Sequence, residues 1–299
     1  MSGGARPFRT GAVAGGRPEG RSAGRPRIKH NGTLPGFGLT LGLTTAYLGL
    51  IVVIPLAGLV LKAGQLGPAQ LLAAVASPRS LAAFRVSFGA AAIAAAANGF
   101  VGVLLAWTLT RYRFPGRRLL DGLIDLPFAL PTAVAGIALT ALYVDDGWIG
   151  QLLKPLGIVI AFTPAGICVA MAFIGLPFVV RTVQPVLRDL RHDAEEAALT
   201  LGATPWQIFR RVILPPLMPA VLTGVALAFA RGVGEYGSVI FIAGNRPGVS
   251  EIVPLLIVTR LEQFDYPGAA ALGTAMLLIS FGFLLLIQRT QRRTGVHGI

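Results

Sequence analysis

Charge is scarce in this 299-residue chain. Asp, Glu, Lys and Arg make up 13% of it, where a soluble domain carries about a quarter. With 54% apolar residues and a mean hydropathy of +0.70, it lacks the polar material to cover a soluble core. That leaves an integral membrane protein of several helices. Lysine is rarer still: Lys29, Lys62 and Lys154 are the only three, and none follows a glycine. A G-x-x-x-x-G-K-[ST] phosphate loop is therefore absent, and ATP hydrolysis by that route is excluded. His30, His192 and His297 lie outside the long apolar runs and form no H-E-x-x-H, so no His-bound zinc or haem is expected within the membrane. The single Cys168 rules out an intrachain disulfide. No nucleophile and base pair stands out, so no catalytic residue, metal ligand or cofactor site is assigned.

What the chain does have is positive charge, +13 net. In a soluble chain that would suggest nucleic acid. In one this apolar it reads as the Lys/Arg bias of cytoplasmic loops, with no nucleic-acid partner. Residues 1–35 are rich in Gly, Pro and Arg, with Arg6, Arg9, Arg17, Arg21, Arg25, Arg27 and Lys29 against Glu19 alone. Without an apolar period they read as a disordered basic cytoplasmic tail, able to touch anionic lipid. No short apolar core precedes a small-residue cleavage site, so this is not a signal peptide.

Six spans follow within a membrane domain of about 36–290, at about 38–61, 86–109, 126–144, 162–180, 217–243 and 269–287. Pro55 is expected to kink the first, and the fourth also has an internal proline, Pro177. The second is dense in Ala and Gly, which suits close helix packing in lipid. Pro127 and Pro131 make the entry to the third irregular, and irregular backbone at that depth lies against protein or a cavity. Six crossings put both termini on one side. Nineteen basic residues fall on that side, including those of the 111–118 loop and the 291–299 tail, against Lys62, Arg79, Arg85, Lys154, Arg246 and Arg260 on the other. The termini are therefore expected in the cytoplasm.

Between the fourth and fifth spans lies a polar interruption, 181–216. Asp193, Glu195 and Glu196 suit a helix N-terminus, Gly202 a left-handed stop, and Pro205 the start of a second helix. The stretch predicts a short helix, a sharp turn and another helix outside the lipid. A second oddity is Arg231 and Glu235, four apart in the fifth span, where charge is expensive and usually faces the bundle interior. On one helix face they can pair. Two readings stand: a structural ion pair, or an arginine lining an anion path with the glutamate holding it.

Glu196-Ala197-Ala198, then Gly202, then Val212-x-Leu214-Pro215 resembles the EAA loop of ABC importer permeases, with Val212 where the family has Ile. Arg111-Tyr112-Arg113-Phe114-Pro115-Gly116-Arg117, the Pro-rich 125–136 stretch, 179–187 and 234–245 resemble the T-type permease of sulfate/thiosulfate importers, over about 35–290. Molybdate and tungstate permeases are similar at the third span and at Gly234-Glu235-Tyr236-Gly237, and remain the alternative. The resemblance implies an all-α type I ABC importer permease fold with a core of about 84–287. It implies a coupling loop whose Glu196, Ala197, Ala198, Gly202, Leu214 and Pro215 face or shape the contact with a separate ATPase dimer. It also implies a second, W-type permease and a periplasmic sulfate-binding protein. Mg-bound ATP would be used by the ATPase, not by this chain. An ion-coupled secondary transporter using Arg231 and Glu235 is the reading from another class; it leaves the 196–215 pattern unexplained. A membrane-embedded enzyme would need an interfacial acid cluster, and Asp121, Asp125, Asp145 and Asp146 fall at opposite ends of the third span.

Overall fold

The computed structural model describes residues 37–190 and 192–293, and among them the regular structure is all helical. The basic tail expected at 1–35 lies outside the described residues, as does most of that expected at 291–299. The chain divides into two compact units, Met1–Leu50 and Ile51–Ile299. In the first, α1 (Phe37–Leu48) is apolar and a π-helical turn, Gly49–Val53, begins after it.

In the second unit, α2 (Ile54–Ala63) and α3 (Pro68–Ala76) lead into α4 (Pro78–Arg111). Pro68 and Pro78 stand at the first helical position, where a missing N–H leaves no bond unmade. The Ser77 side chain caps α4 by accepting from Ser80 N at 3.2 Å. Then come α5 (Arg117–Ile124), α6 (Leu126–Ala129), α7 (Thr132–Tyr143), α8 (Gly150–Leu153) and α9 (Pro164–Asp189). A hairpin of α10 (His192–Thr200) and α11 (Pro205–Ile208) runs through a π-helical turn, Phe209–Ile213, into α12 (Leu214–Val233). Short α13 (Val239–Ile242), α14 (Val253–Glu262) and α15 (Tyr266–Arg293) complete the order.

Among the described residues, five stretches are long and apolar enough to cross a membrane: Phe37–Ala63, Pro78–Arg111, Pro164–Asp189, Pro205–Val233 and Tyr266–Ile287. Four expected spans sit within or overlap longer helices. The other two differ more. The 126–144 stretch is broken into α6 and a 12-residue α7, about 18 Å long against a hydrocarbon core of about 30 Å. The break falls at Leu130, extended before Pro131, as the clash of a proline ring with the preceding residue requires. The 217–243 stretch is helix only to Val233; it then opens, and resumes as α13.

The core is the triad α4, α9 and α12. The buried positions of α4 include Ala83, Ser87, Ala90, Ala94, Asn98, Gly102, Ala106 and Leu109, a stripe at helical spacing built mostly of small residues. Small side chains let backbones approach, which is how helices gain contact where burial alone drives little. Asn98 Nδ2 donates to the Ala172 carbonyl of α9 at 3.0 Å. A Cβ at Gly102 would lie 2.7 Å from Val179 Cγ1 and 2.8 Å from Val179 Cβ, so α9 sits where only hydrogen fits. Gly102→Val should lower the thermal midpoint of the detergent-solubilised chain, at a cost of about 1–3 kcal/mol. Gly89→Val, on the same helix with open space around its Cβ, is the control, and equal midpoints for the two would contradict this packing.

Candidate functional site

Two features stand out. The first is the α10–α11 hairpin. Asp193 and Glu195 lie in the first turn of α10, where the helix dipole favours negative charge. Gly202 ends it at φ +78°, with Gly202 N donating to Leu199 O at 2.9 Å and Ala203 N to Ala198 O at 3.0 Å. Nothing lies within 4 Å of a Cβ built at Gly202, so it is the backbone angle, not space, that asks for glycine. Thr204 and Gln207 then form a reciprocal capping box that starts α11 at Pro205. Glu196 and Ala197 are exposed, and so are Leu199, Leu201 (88%) and Trp206 (66%). Ala198 and Leu214 are half-buried, and Leu214-Pro215 form the first turn of α12.

The hairpin does not stand alone. Glu195 accepts a hydrogen bond from Arg111 Nη2 at the end of α4. The Arg111 guanidinium lies 5.2 Å from the centre of the Trp107 ring. Trp107 meets Phe209 edge-on at 6.1 Å, and Phe209 stacks on Trp206 at 5.7 Å.

The second feature is the break after α12. Arg231 is in the last turn of the helix and Glu235 lies beyond its end, so they do not share a helix face as the spacing suggests. They pair nonetheless, Arg231 Nη1 to Glu235 Oε2 at 2.5 Å. Glu235 is 2% exposed, and its other oxygen accepts from Ser238 N at 2.9 Å and Ser238 Oγ at 3.0 Å. The carboxylate thus supplies the acceptor that the interrupted helix withholds. Arg231 keeps 36% of its side chain accessible. On the other side, α7 presses in: a Cβ at Gly136 would fall 2.4 Å from Ser238 O, and one at Gly237 2.2 Å from Thr132 Oγ1. The two interrupted stretches are therefore packed against each other.

Residues 98–296 match the family described as binding-protein-dependent transport system inner membrane component. The chain belongs to that family. The sulfate transport system permease protein CysT of Salmonella typhimurium is 51% identical to this chain over 262 residues, 88% of this chain and 95% of that one. The Escherichia coli CysT is 50% identical over the same shares. A bacterial ABC transporter involved in alginate import has a similar fold, with a TM-score of 0.71 at 15% identity, over 86% of this chain and 96% of that one.

Within this transport component, further polar contacts go unannounced by any local pattern. Arg181 of α9 holds Asp125 through Nε at 2.8 Å and Nη2 at 2.5 Å, and Asp121 through Nη1 at 2.8 Å. Buried Gln184 joins them, accepting from Arg181 Nη1 at 2.7 Å. Burial pushes the Asp121 carboxyl up, but hydrogen bonds from Arg181 and Gln184 and the charges of Arg181 and Arg188 more than offset this, leaving it below the usual range. This cluster fixes α5 and the start of the broken 126–144 stretch against α9. Elsewhere, Arg79 at the start of α4 grips Glu251 bidentately at 2.8 and 2.6 Å, with Glu251 3% exposed. An open recess of about 660 Å³ is lined by Asp145, Asp146, Phe162, Gly244 and Arg246.

Glu235→Ala should leave Arg231 and the Ser238 N–H without their acceptor, at a cost of about 1–3 kcal/mol. Removing Arg231 as well should recover part of that loss, because no unmatched arginine remains. Thermal midpoints of the single and double variants in detergent decide it, and a double variant less stable than Glu235→Ala would contradict pairing as the main role.

Proposed function

We propose that this chain is the membrane-spanning permease of an ATP-driven importer of sulfate or thiosulfate in a bacterial cytoplasmic membrane. The observation that carries it is the exposed α10–α11 hairpin, which bears Glu196, Ala197, Ala198 and Gly202 in the spacing of the importer coupling loop. The extensive identity to proteins named as sulfate permeases supports the choice of anion.

In this reading α6 and α7 together make a sixth crossing, and both termini and the hairpin face the cytoplasm. The residues 84–287 form the permease core, 181–216 the coupling loop, and 1–35 and 291–299 the cytoplasmic tails. An ATPase dimer supplies the chemistry with Mg-bound ATP, and its cleft takes the hairpin. Leu199, Leu201 and Trp206 give the hairpin an apolar tip of the kind that buries well at a protein contact. A second, W-type permease completes the pathway, and a periplasmic sulfate-binding protein delivers the anion at the end that carries Asp145, Asp146 and Arg246. ATP binding closes the ATPase pair and hydrolysis reopens it, so the pathway alternates between two states of different affinity for the pair. Arg231, accessible yet held by a buried carboxylate, offers a dianion a passing positive contact without a deep site. Glu235 keeps that guanidinium in place.

The test is uptake of labelled sulfate, thiosulfate and molybdate into vesicles holding this chain with its ATPase, partner permease and binding protein. Sulfate or thiosulfate uptake that disappears without the ATPase is expected. Molybdate-only uptake would overturn the anion and keep the class. Uptake that persists without ATP would move the chain to the secondary transporters.

A further inference from the structure

The hairpin is joined covalently to α12, and the obvious route from an ATPase into the membrane runs along that helix. The route is a compliant one. The π-helical turn at Phe209–Ile213 separates α11 from α12, and Pro219 sits inside α12. Both features remove or misplace helical hydrogen bonds and permit bending. The neighbouring α9 carries Pro177 and Pro185 internally. In contrast, α4 runs for 34 residues with its only proline at the start. It is the stiff member of the triad, and its C-terminal end holds both the first limb of the hairpin and the residue that follows the second. Glu195 ties α10 to Arg111. Phe209, directly after α11 and stacked on its Trp206, meets Trp107, and the Arg111 guanidinium covers the same ring. Arg111 and Glu195 keep only 11% and 22% of their side chains exposed, so solvent screens the pair less than a surface pair.

We infer that Arg111 and Trp107 are positioning residues for energy coupling: they pass displacement of the hairpin to α4, and α4 carries it to the break at Arg231. The far link of this route is direct, because a Cβ at Gly232, next to Arg231, would sit 3.4 Å from Ala91 Cβ of α4. The inference rests on the reading of the hairpin as the ATPase-facing element. The hairpin's exposed tip would bind the ATPase, while Glu195 and Phe209 make the contacts with α4.

The test is a double-mutant cycle in the complete reconstituted transporter, reading sulfate taken up per ATP hydrolysed together with the ATPase that co-purifies. Arg111→Gln and Glu195→Gln should each keep the ATPase bound and lower uptake per ATP by about tenfold. The double variant should lose no more than the worse single, because the pair acts as a unit. Trp107→Leu, which keeps an apolar side chain, should also lower uptake per ATP with the ATPase retained. Unchanged uptake per ATP in the single variants would overturn the inference, as would losses that multiply in the double variant. Failure of the unaltered chain to retain its ATPase would instead overturn the reading of the hairpin on which this rests.

Discussion

The approach of α9 and α12 to the small-residue stripe of α4 sets the geometry of the second unit. Ala90, Ala94, Asn98, Gly102 and Ala106 leave no room for adjustment by flexible side chains. The distance between helices is therefore fixed by backbone and Cβ atoms, and packed interiors of this kind pass displacement on instead of absorbing it. Polar ties at the ends of the triad make the arrangement specific. Arg79 and Glu251 anchor the first turns of α4, Asn98 its middle, and Arg111 with Glu195 its last turn.

Against that rigid frame, the two interrupted stretches are where polar groups collect. Breaking a helix in lipid frees N–H and C=O groups that water cannot reach. Glu235 answers part of this by accepting from Ser238 N and Oγ, and its remaining oxygen holds Arg231. One buried carboxylate thus keeps the break ordered and fixes the direction of a half-accessible guanidinium. The structural and the proposed functional reading of the pair are compatible with this one arrangement. Gly136 and Gly237 bring α7 against the same break, so the short helix and the opened one support each other.

Much of this was legible in the sequence wherever the signal was local. The hairpin could be read from acids at a helix start, Gly202 and Pro205, and the irregular third stretch from Pro127 and Pro131. The end of α12 at Val233 was only partly legible: Gly234, Glu235, Gly237 and Ser238 interrupt the apolar run, but it resumes at Val239–Ala243, so the stretch reads as one span. The spacing of Arg231 and Glu235 found the right pair for a reason only partly correct, since reach across a turn survives the loss of helix geometry. The ties between elements left no local trace. Arg181 meets partners 56 and 60 residues away, Arg111 one 84 away and Arg79 one 172 away. The ten-residue α14 was also missed, being too short to stand out as a span.

The account turns on the hairpin lying in the cytoplasm and seating on an ATPase. The chain has one cysteine, Cys168, half-buried in α9. A Leu201→Cys variant in a Cys168→Ser background places a single thiol at the exposed tip. The most direct measurement is cross-linking of that thiol in sealed cells with a short membrane-permeant maleimide–succinimidyl ester, which joins a thiol to a lysine of the neighbouring subunit, beside labelling by a membrane-impermeant maleimide from outside. The account predicts an adduct with the ATPase subunit and no labelling from outside. Labelling from outside with no ATPase adduct would contradict it.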